Sequence, residues 1–299
     1  MKTIKAALIL MLAGSLLYGQ EYPVKQITFS KTTHDGYPYW TPDGKFIIYD
    51  AATRTECQAM KVPAGGGTPV RLTNCFSQHS DLSADGRLLV FDGESGTMIQ
   101  MTEITGGEPV RIVPPTIPIV RSGYPRWSSD SKLIAFQSVG DVWIMGVANK
   151  NFSKICHADG KVMIPFCWVP GDREILIDVR DTTTKQSDIW RISLEEKDPV
   201  QLTSFGAYTA KPDISPDGSM IVFTSNHGGN MDLWVMKFNG GPPVQLTFFK
   251  GEGNNPGYDL EASWSPDGRK IAFSSTRSGF WAIWVMEPDL GELRKELGL

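Results

Sequence analysis

The stretch WSPDGRKIAF, Trp264 to Phe273, sets the reading of this chain. Blurred copies occur as ISPDGSMIVF from Ile214 and WTPDGKFIIY from Trp40. Aligned on the bulky residue that opens each copy, six are found, at Trp40, Leu82, Trp127, Trp168, Ile214 and Trp264. Seven positions on, each copy has an aliphatic residue: Ile47, Leu89, Ile134, Ile175, Ile221 and Ile271. Nine positions on comes a large apolar one: Tyr49, Phe91, Phe136, Ile177, Phe223 and Phe273. The openings are 42, 45, 41, 46 and 50 residues apart. That period suits one four-stranded propeller blade.

Each copy reads as four strands. Strand a ends at the opening residue, and SPDG then turns the chain. Pro presets the backbone at the second turn position, and Gly takes the left-handed conformation after Asp. Strand b is KIAF-like, with alternating apolar residues of high β-propensity. Strand c reads DLWVM, AIWVM or DIWRI, and a turn that carries GG in several copies leads to strand d, PVQLT or PVRLT. Trp143, Trp190, Trp234 and Trp284 recur at one place in strand c and read as blade packing. Helical character is confined to the tail GELRKELGL. Three copies depart from the pattern. Ala84 replaces Pro, Ser131 replaces Gly at a position where a side chain costs stability, and the fourth turn reads VPGD with Gly171 one place early.

The sixth copy ends without a strand d, whereas PVKQIT, Pro23 to Thr28, stands alone at the other end. The expected fold is therefore an all-β, six-bladed β-propeller of four-stranded blades, closed by the N-terminal strand completing the last blade. Closure removes the open edges a linear array would expose.

WSPDGxxIAF followed by IWVM and PVQLT resembles the TolB-like six-bladed propellers, a WD40-like repeat class. The resemblance covers about Glu21 to Leu299, and its motif residues are turn and core residues. It implies a binding role like that of the periplasmic Tol-system protein, a partner of other envelope proteins. Related propellers also stand beside peptidase domains and in polysaccharide lyases. The chain reads without the separate α/β N-terminal domain that precedes the propeller in the Tol protein.

The first nineteen residues, MKTIKAALILMLAGSLLYG, have two lysines, an apolar run and a small residue before Gln20, the layout of a secretory signal peptide. Residues 1–19 are thus expected to be a leader and 20–299 the propeller, with a periplasmic or secreted location. The apolar run is too short and interrupted for a membrane span of about 20 residues. Removing Lys2 and Lys5 takes the basic side chains from 29 to 27 against 33 acidic ones, a net charge of −6. A mildly acidic surface argues against nucleic acid as the partner.

Blade topology puts the SPDG and GG turns on a lower face. The b–c loops and d–a linkers lie on an upper face. The next opening lies 12, 9, 11 and 17 positions after Thr28, Thr73, Thr203 and Thr247, so the upper segments vary. Variable loops on a rigid scaffold carry binding residues, which assigns function to the upper face and channel mouth. Three positions before each opening stand Tyr37, His79, Tyr124, Pro165, Lys211 and Glu261, and one before it Tyr39, Asp81, Arg126, Cys167, Asp213 and Ser263. Such a mixture suits a polar ligand or peptide terminus. Lys211 and Glu261, in neighbouring blades, read either as ligand contacts or as an inter-blade ion pair. Phe280 and Trp281, in STRSGFWAIW, read as binding residues or as loop packing.

The four histidines, His34, His79, His157 and His227, fall in upper segments, three with carboxylates close in sequence. A metal or acid–base site on them is the competing idea. TSNHGGNMD and GEGNNPGYDLE offer oxygen ligands that could hold calcium, or are plain turns. No G-x-S-x-G, HExxH, Walker loop or dinucleotide fingerprint is present. The expectation is a monomeric, non-catalytic binding propeller without cofactor for an envelope protein, peptide or glycan. Its alternatives are a lyase- or hydrolase-like enzyme using His79, Asp81, Lys211 and Glu261, and a regulatory propeller of a peptidase system. Cys57 and Cys75 flank the first c–d hairpin symmetrically and are expected to form a disulfide. Cys156 and Cys167 are expected to be free, largely buried thiols.

Overall fold

The structure, a computed structural model, describes residues 22–94, 96–113, 121–253 and 255–299. The expected leader lies outside the described residues.

Six antiparallel four-stranded sheets form the blades. Their innermost strands are His34–Trp40, Gln78–Leu82, Ser122–Trp127, Lys161–Trp168, Thr209–Ile214 and Asp259–Trp264. The strand Val24–Gln26 pairs antiparallel with Ala282–Met286, with Val24 opposite Met286 and Gln26 opposite Trp284. It is the outer strand of the sixth blade, so the ring closes as the repeat count requires. The aliphatic and large apolar positions of strand b are all 3% exposed or less, which makes them the inter-blade core. Burying each such side chain contributes roughly 1.5–3 kcal/mol. The four strand-c tryptophans pack against these clusters.

The recurring letters have specific jobs. The Thr of PVQLT accepts a strand-c N–H where the ladder ends: Thr73 from Ala59 (3.1 Å), Thr203 from Ile189 (2.9 Å), Thr247 from Leu233 (2.9 Å). Thr28 does the same for Ile283 at 2.9 Å, so the N-terminal strand is a strand d in chemistry as well as position. In SPDG, Ser265 donates to Asp267 at 2.6 Å, and the Ser265 hydroxyl oxygen accepts from Lys270 N at 2.9 Å. The turn is tied internally before any tertiary contact forms.

Turns also touch across blades. A Cβ on Gly44, Gly218 or Gly268 would stand 3.9, 3.7 and 3.5 Å from Pro266, Pro170 and Pro216 of the preceding blade. Two turns lack the proline and so have a backbone N–H to place. Ala84 N donates to Ser131 Oγ at 2.8 Å, and Ser129 N donates to Asp172 Oδ1 at 2.9 Å. The acceptors are the residues that break the pattern in the next blade. Ser131 and Asp172 hold φ of 57° and 55° to do it.

The tail forms the helix Leu290–Leu297. Asp289 caps its N-terminus by accepting from Gly291 N and Glu292 N. Leu293 and Leu297 join the core beside Trp264. Arg294 pairs with Asp217 of the fifth blade's turn, which puts the helix on the lower face.

The disulfide expected between Cys57 and Cys75 is not formed, and all four cysteines are free. The c–d ladder of the first blade pairs Met60 with Arg71 and Lys61 with Val70. It ends where Leu72 N donates to Ala59 O. The chain then turns inward, and Ser77 N donates to Cys57 O at 2.8 Å. Ser77 therefore occupies the place opposite Cys57. Cys75 packs instead on the cluster of Ile48, Leu72 and Leu82. Cys156 is buried as expected, while Cys167 is only partly buried.

Candidate functional site

Every inner strand carries a one-residue bulge near its third position before the opening residue. Tyr37, His79, Tyr124, Lys211 and Glu261 sit there at φ of 50°, 50°, 53°, 56° and 60°. Pro165 cannot adopt that φ, and its blade places the extra residue at Phe166 instead. A left-handed conformation costs a non-glycine residue roughly 1–2 kcal/mol. Five such residues in one ring mark a place where backbone ease is given up for side-chain direction.

Four of the five strained N–H groups are satisfied from the preceding blade. His79 N donates to Asp50 Oδ2 (2.6 Å) and Tyr124 N to Asp92 Oδ1 (2.8 Å). Glu261 N donates to Thr224 Oγ1 (3.1 Å). These acceptors stand ten positions after their own openings. In the sixth blade that position is Ser274, and Glu261 takes over: its Oε2 accepts from Tyr37 N at 2.7 Å and from Ser274 Oγ at 2.9 Å. The repeat alignment carries this signal as the polar residues Asp50, Asp92 and Asp178 directly after the strand-b core, outside the sequence-derived site set.

The ring side chains then engage one another. Lys211 Nζ lies 2.5 Å from Glu261 Oε1, so the inter-blade ion pair is present. It also lies 4.7 Å from the centre of the Tyr37 ring. Burial would raise Glu261, but Lys211 and the hydrogen bonds hold its carboxyl below the ordinary range. Burial would lower Lys211, but Glu261 keeps its ammonium above the usual value. Both directions describe a charged pair. His79 Nδ1 is 2.7 Å from Asp92 Oδ2, so that nitrogen carries the proton. Burial lowers the imidazole pKa against the pull of Asp92. Tyr124 stacks on the His79 ring at 3.8 Å and Tyr37 meets its edge at 4.5 Å.

A cavity of about 250 Å³ lies beside this ring. Its lining comprises Tyr37, Lys211 and Glu261 of the ring, residues one or two positions before each opening, the openings Trp127 and Trp168, and Ser129 of a turn. It therefore extends from the ring toward the repeated turns. The ring positions were expected to lead to the upper mouth, and the space they border is on the other side. Small residues explain it: Ser80, Cys167, Ala262 and Ser263 line the tier below the large side chains. Arg126 crosses this tier, donating to Phe166 O (2.9 Å), His79 O (3.0 Å) and Pro125 O (2.7 Å). Asp81 accepts from Trp127 N and Asp213 from Trp264 N, both at 2.7 Å. Burial pushes each carboxyl up to about 6. Where those acids are absent, the tryptophan indole ties the seam instead: Trp40 Nε1 to Ser263 O (3.1 Å) and Trp168 Nε1 to Arg126 O (3.0 Å).

The remaining candidates stand apart from this cluster. Trp281 stacks on His34 at 4.4 Å and on Tyr258 at 6.0 Å, packing three upper segments together. Phe280 beside it is 44% exposed. His157 sits at the rim between Asp141 (2.6 Å) and Asp159 (3.2 Å). His227 lies between Phe205 and Trp234. Among the described residues no three His, Cys, Asp or Glu side chains converge as a metal-ligand set. Part of GEGNNPGYDLE lies outside them. Chemically, His79 and Asp92 form a dyad able to accept a proton, but Tyr124 covers one face of the imidazole and Tyr37 stands perpendicular to the ring.

Comparison with known proteins agrees with this architecture. A model of the tricorn protease N-terminal β-propeller domain matches residues 182–279. An uncharacterized protein of Agrobacterium fabrum is 26% identical over 75% of this chain and 81% of its own. The Tol-Pal system protein TolB of Anaeromyxobacter dehalogenans is 36% identical over 37% of this chain and 24% of its own. Among solved structures, a putative TolB from Agrobacterium tumefaciens superposes with a TM-score of 0.63 at 22% identity, covering 86% of this chain and 91% of that one. An oligogalacturonate lyase in complex with manganese superposes at 0.56 and 15% identity, covering 90% and 98%. At those identities the structural likeness is one of fold. The chain has the six-bladed β-propeller fold and is similar to TolB-type propellers.

Proposed function

We propose that the chain is an exported, non-catalytic binding propeller that receives a protein or peptide partner of the cell envelope at its channel mouth. The observation that carries this reading is the pairing of the channel's reactive groups. Lys211 is spent on Glu261, His79 on Asp92, and Asp81 on a blade seam. Of the four residues an acid–base mechanism would combine, Lys211 and Glu261 are thus bound to each other, and His79 and Asp81 to other partners. What the channel offers is a shaped cavity on a rigid ring, and ligand sites are of that kind. Export rests on the leader-like residues 1–19. Among the described residues no helix is long and apolar enough to cross a membrane. Of the two faces, the cavity favours the turn-side mouth, because the upper aromatics are packed against each other.

The test is affinity capture from envelope extract with the purified propeller. Ser263→Phe should fill the cavity and remove the captured protein, while Trp281→Ala should retain it. Thermal melting confirms that each variant is folded. Capture that survives in Ser263→Phe and is lost in Trp281→Ala would move the site to the upper face.

A further inference from the structure

The charge balance of the cavity specifies what kind of group it accepts. This step rests on the binding reading above. Glu261 is neutralised by Lys211. Arg126 directs its guanidinium to three carbonyl oxygens. Asp81 and Asp213 stand in the second and fifth blades, on opposite sides of a six-blade ring. Among the described residues neither has a basic side chain within ion-pair distance: Asp81 is held by Leu82 N and Trp127 N, and Asp213 by Trp264 N with Ile214 N and the neutral Ser263 hydroxyl beside it. With both ionised, two carboxylates face one guanidinium, and the cavity carries an unmatched negative charge.

Two further features point the same way. Tyr39, Phe166, Trp127 and Trp168 line the space, and aromatic rings attract cations. Tyr39 also lines it, and its buried hydroxyl has no hydrogen-bond partner among the described residues. A hydroxyl oxygen can accept from an ammonium or guanidinium. At about 250 Å³ the cavity is smaller than the roughly 300–1,000 Å³ of sites for drug-sized molecules. It holds one side chain rather than a folded segment. We propose that the cavity takes a single basic side chain of the partner, with its cation between Asp81 and Asp213.

The experiment is calorimetric titration of the whole propeller with Nα-acetyl-lysine amide and Nα-acetyl-arginine amide. Nα-acetyl-norleucine amide serves as the neutral isostere, and Nα-acetyl-glutamate and calcium chloride as competitors. At least one basic probe should bind saturably, and norleucine amide should bind roughly tenfold more weakly or worse, the scale of one charged hydrogen bond. Asp213→Asn should weaken the basic probe by a similar factor, and Trp281→Ala should not. Equal binding of norleucine and the basic probes, preference for glutamate, or calcium binding with no response to either amide would overturn the proposal. The wild-type comparison stands even where Asp213→Asn does not fold. Capture of a partner in Ser263-dependent fashion with no response to basic probes would sink this inference and leave the binding reading intact. Saturable probe binding with no partner captured would do the reverse.

Discussion

The turn that follows strand a and the bulge three residues before its end are each repeated around the ring, yet the two tiers treat variation differently. In the turns, a departure in one blade is matched by a departure in the next: Ala84 by Ser131, Ser129 by Asp172. The chemistry changes and the contact survives. At the bulge, five of the six blades keep one backbone conformation while the side chains diverge. Tyr, His, Lys and Glu all occupy one strained conformation, each facing a different neighbour. A tier that conserves contacts is scaffold. A tier that conserves only direction, and spends strain to do so, is where one blade can be given a different task from the next.

The comparison breaks most visibly at Lys211. Its side chain is 15% exposed and that of Glu261 6%. Lys211→Met would leave Glu261 buried without its cation, a change that typically costs about 3–5 kcal/mol. The lost contact with the Tyr37 ring adds to it. Thermal melting of Lys211→Met should show the largest drop of any single ring substitution, and Lys211→Met with Glu261→Gln should recover most of it. A single variant as stable as the parent would mean the pair is solvated and the ring loosely built.

A smaller effect is expected at Asp50, and it depends on pH. Burial is the main cause that pushes its carboxyl up to about 8, with Asp92 and Glu261 adding to it and His79 N and Arg126 opposing it. The unfolded value is about 3.9. A folded-state pKa above the unfolded one means that the native chain holds the proton more tightly. The stability from this group is therefore fully present below about pH 4 and is lost as pH rises through about 8. Asp50→Asn keeps an oxygen for His79 N and cannot ionise. It should melt on the order of a few degrees above the parent at pH 9, with the gain shrinking toward pH 5. A difference that is the same at both pH values would show that Asp50 is not ionising inside the fold.

How much of this was legible in the sequence follows the same division. The six openings, their aliphatic and aromatic partners and the closing strand at Pro23–Thr28 were readable because each is fixed by blade geometry, and geometry repeats. The ion pair of Lys211 and Glu261 was readable as one of two options because both residues occupy the same repeat position in neighbouring blades. The bulge was not, since a left-handed Tyr or Lys leaves no mark that distinguishes it from an extended one. Nor was the direction of the cavity, which depends on small residues such as Ser80 and Ser263 that look unremarkable in the alignment. Cys57 and Cys75 failed for a related reason: symmetry about Gly66 assumes the ladder continues, and the hydroxyls of Thr73 and Ser77 end it by taking Ala59 N.

The smallest effect is the most exacting test of the turn tier. Ala84→Pro removes the N–H that Ser131 accepts, but it restores the residue four other turns carry and stiffens the unfolded chain, a gain of about 0.4–1 kcal/mol. Ser131→Gly loses the same hydrogen bond but relieves a side chain held at φ 57°, worth roughly 1 kcal/mol. The bond itself contributes about 1 kcal/mol. Each single variant should therefore melt close to the parent, because a loss and a gain offset each other. In the double variant the bond is lost only once while both gains remain, and a proline can again face a glycine across the seam. It should exceed the parent by about 1 kcal/mol, with a coupling of similar size between the two sites. Denaturant unfolding of the four proteins measures that coupling directly. Additivity within about 0.3 kcal/mol would mean that the two departures arose independently and that the seam between the second and third blades is held by something other than this bond.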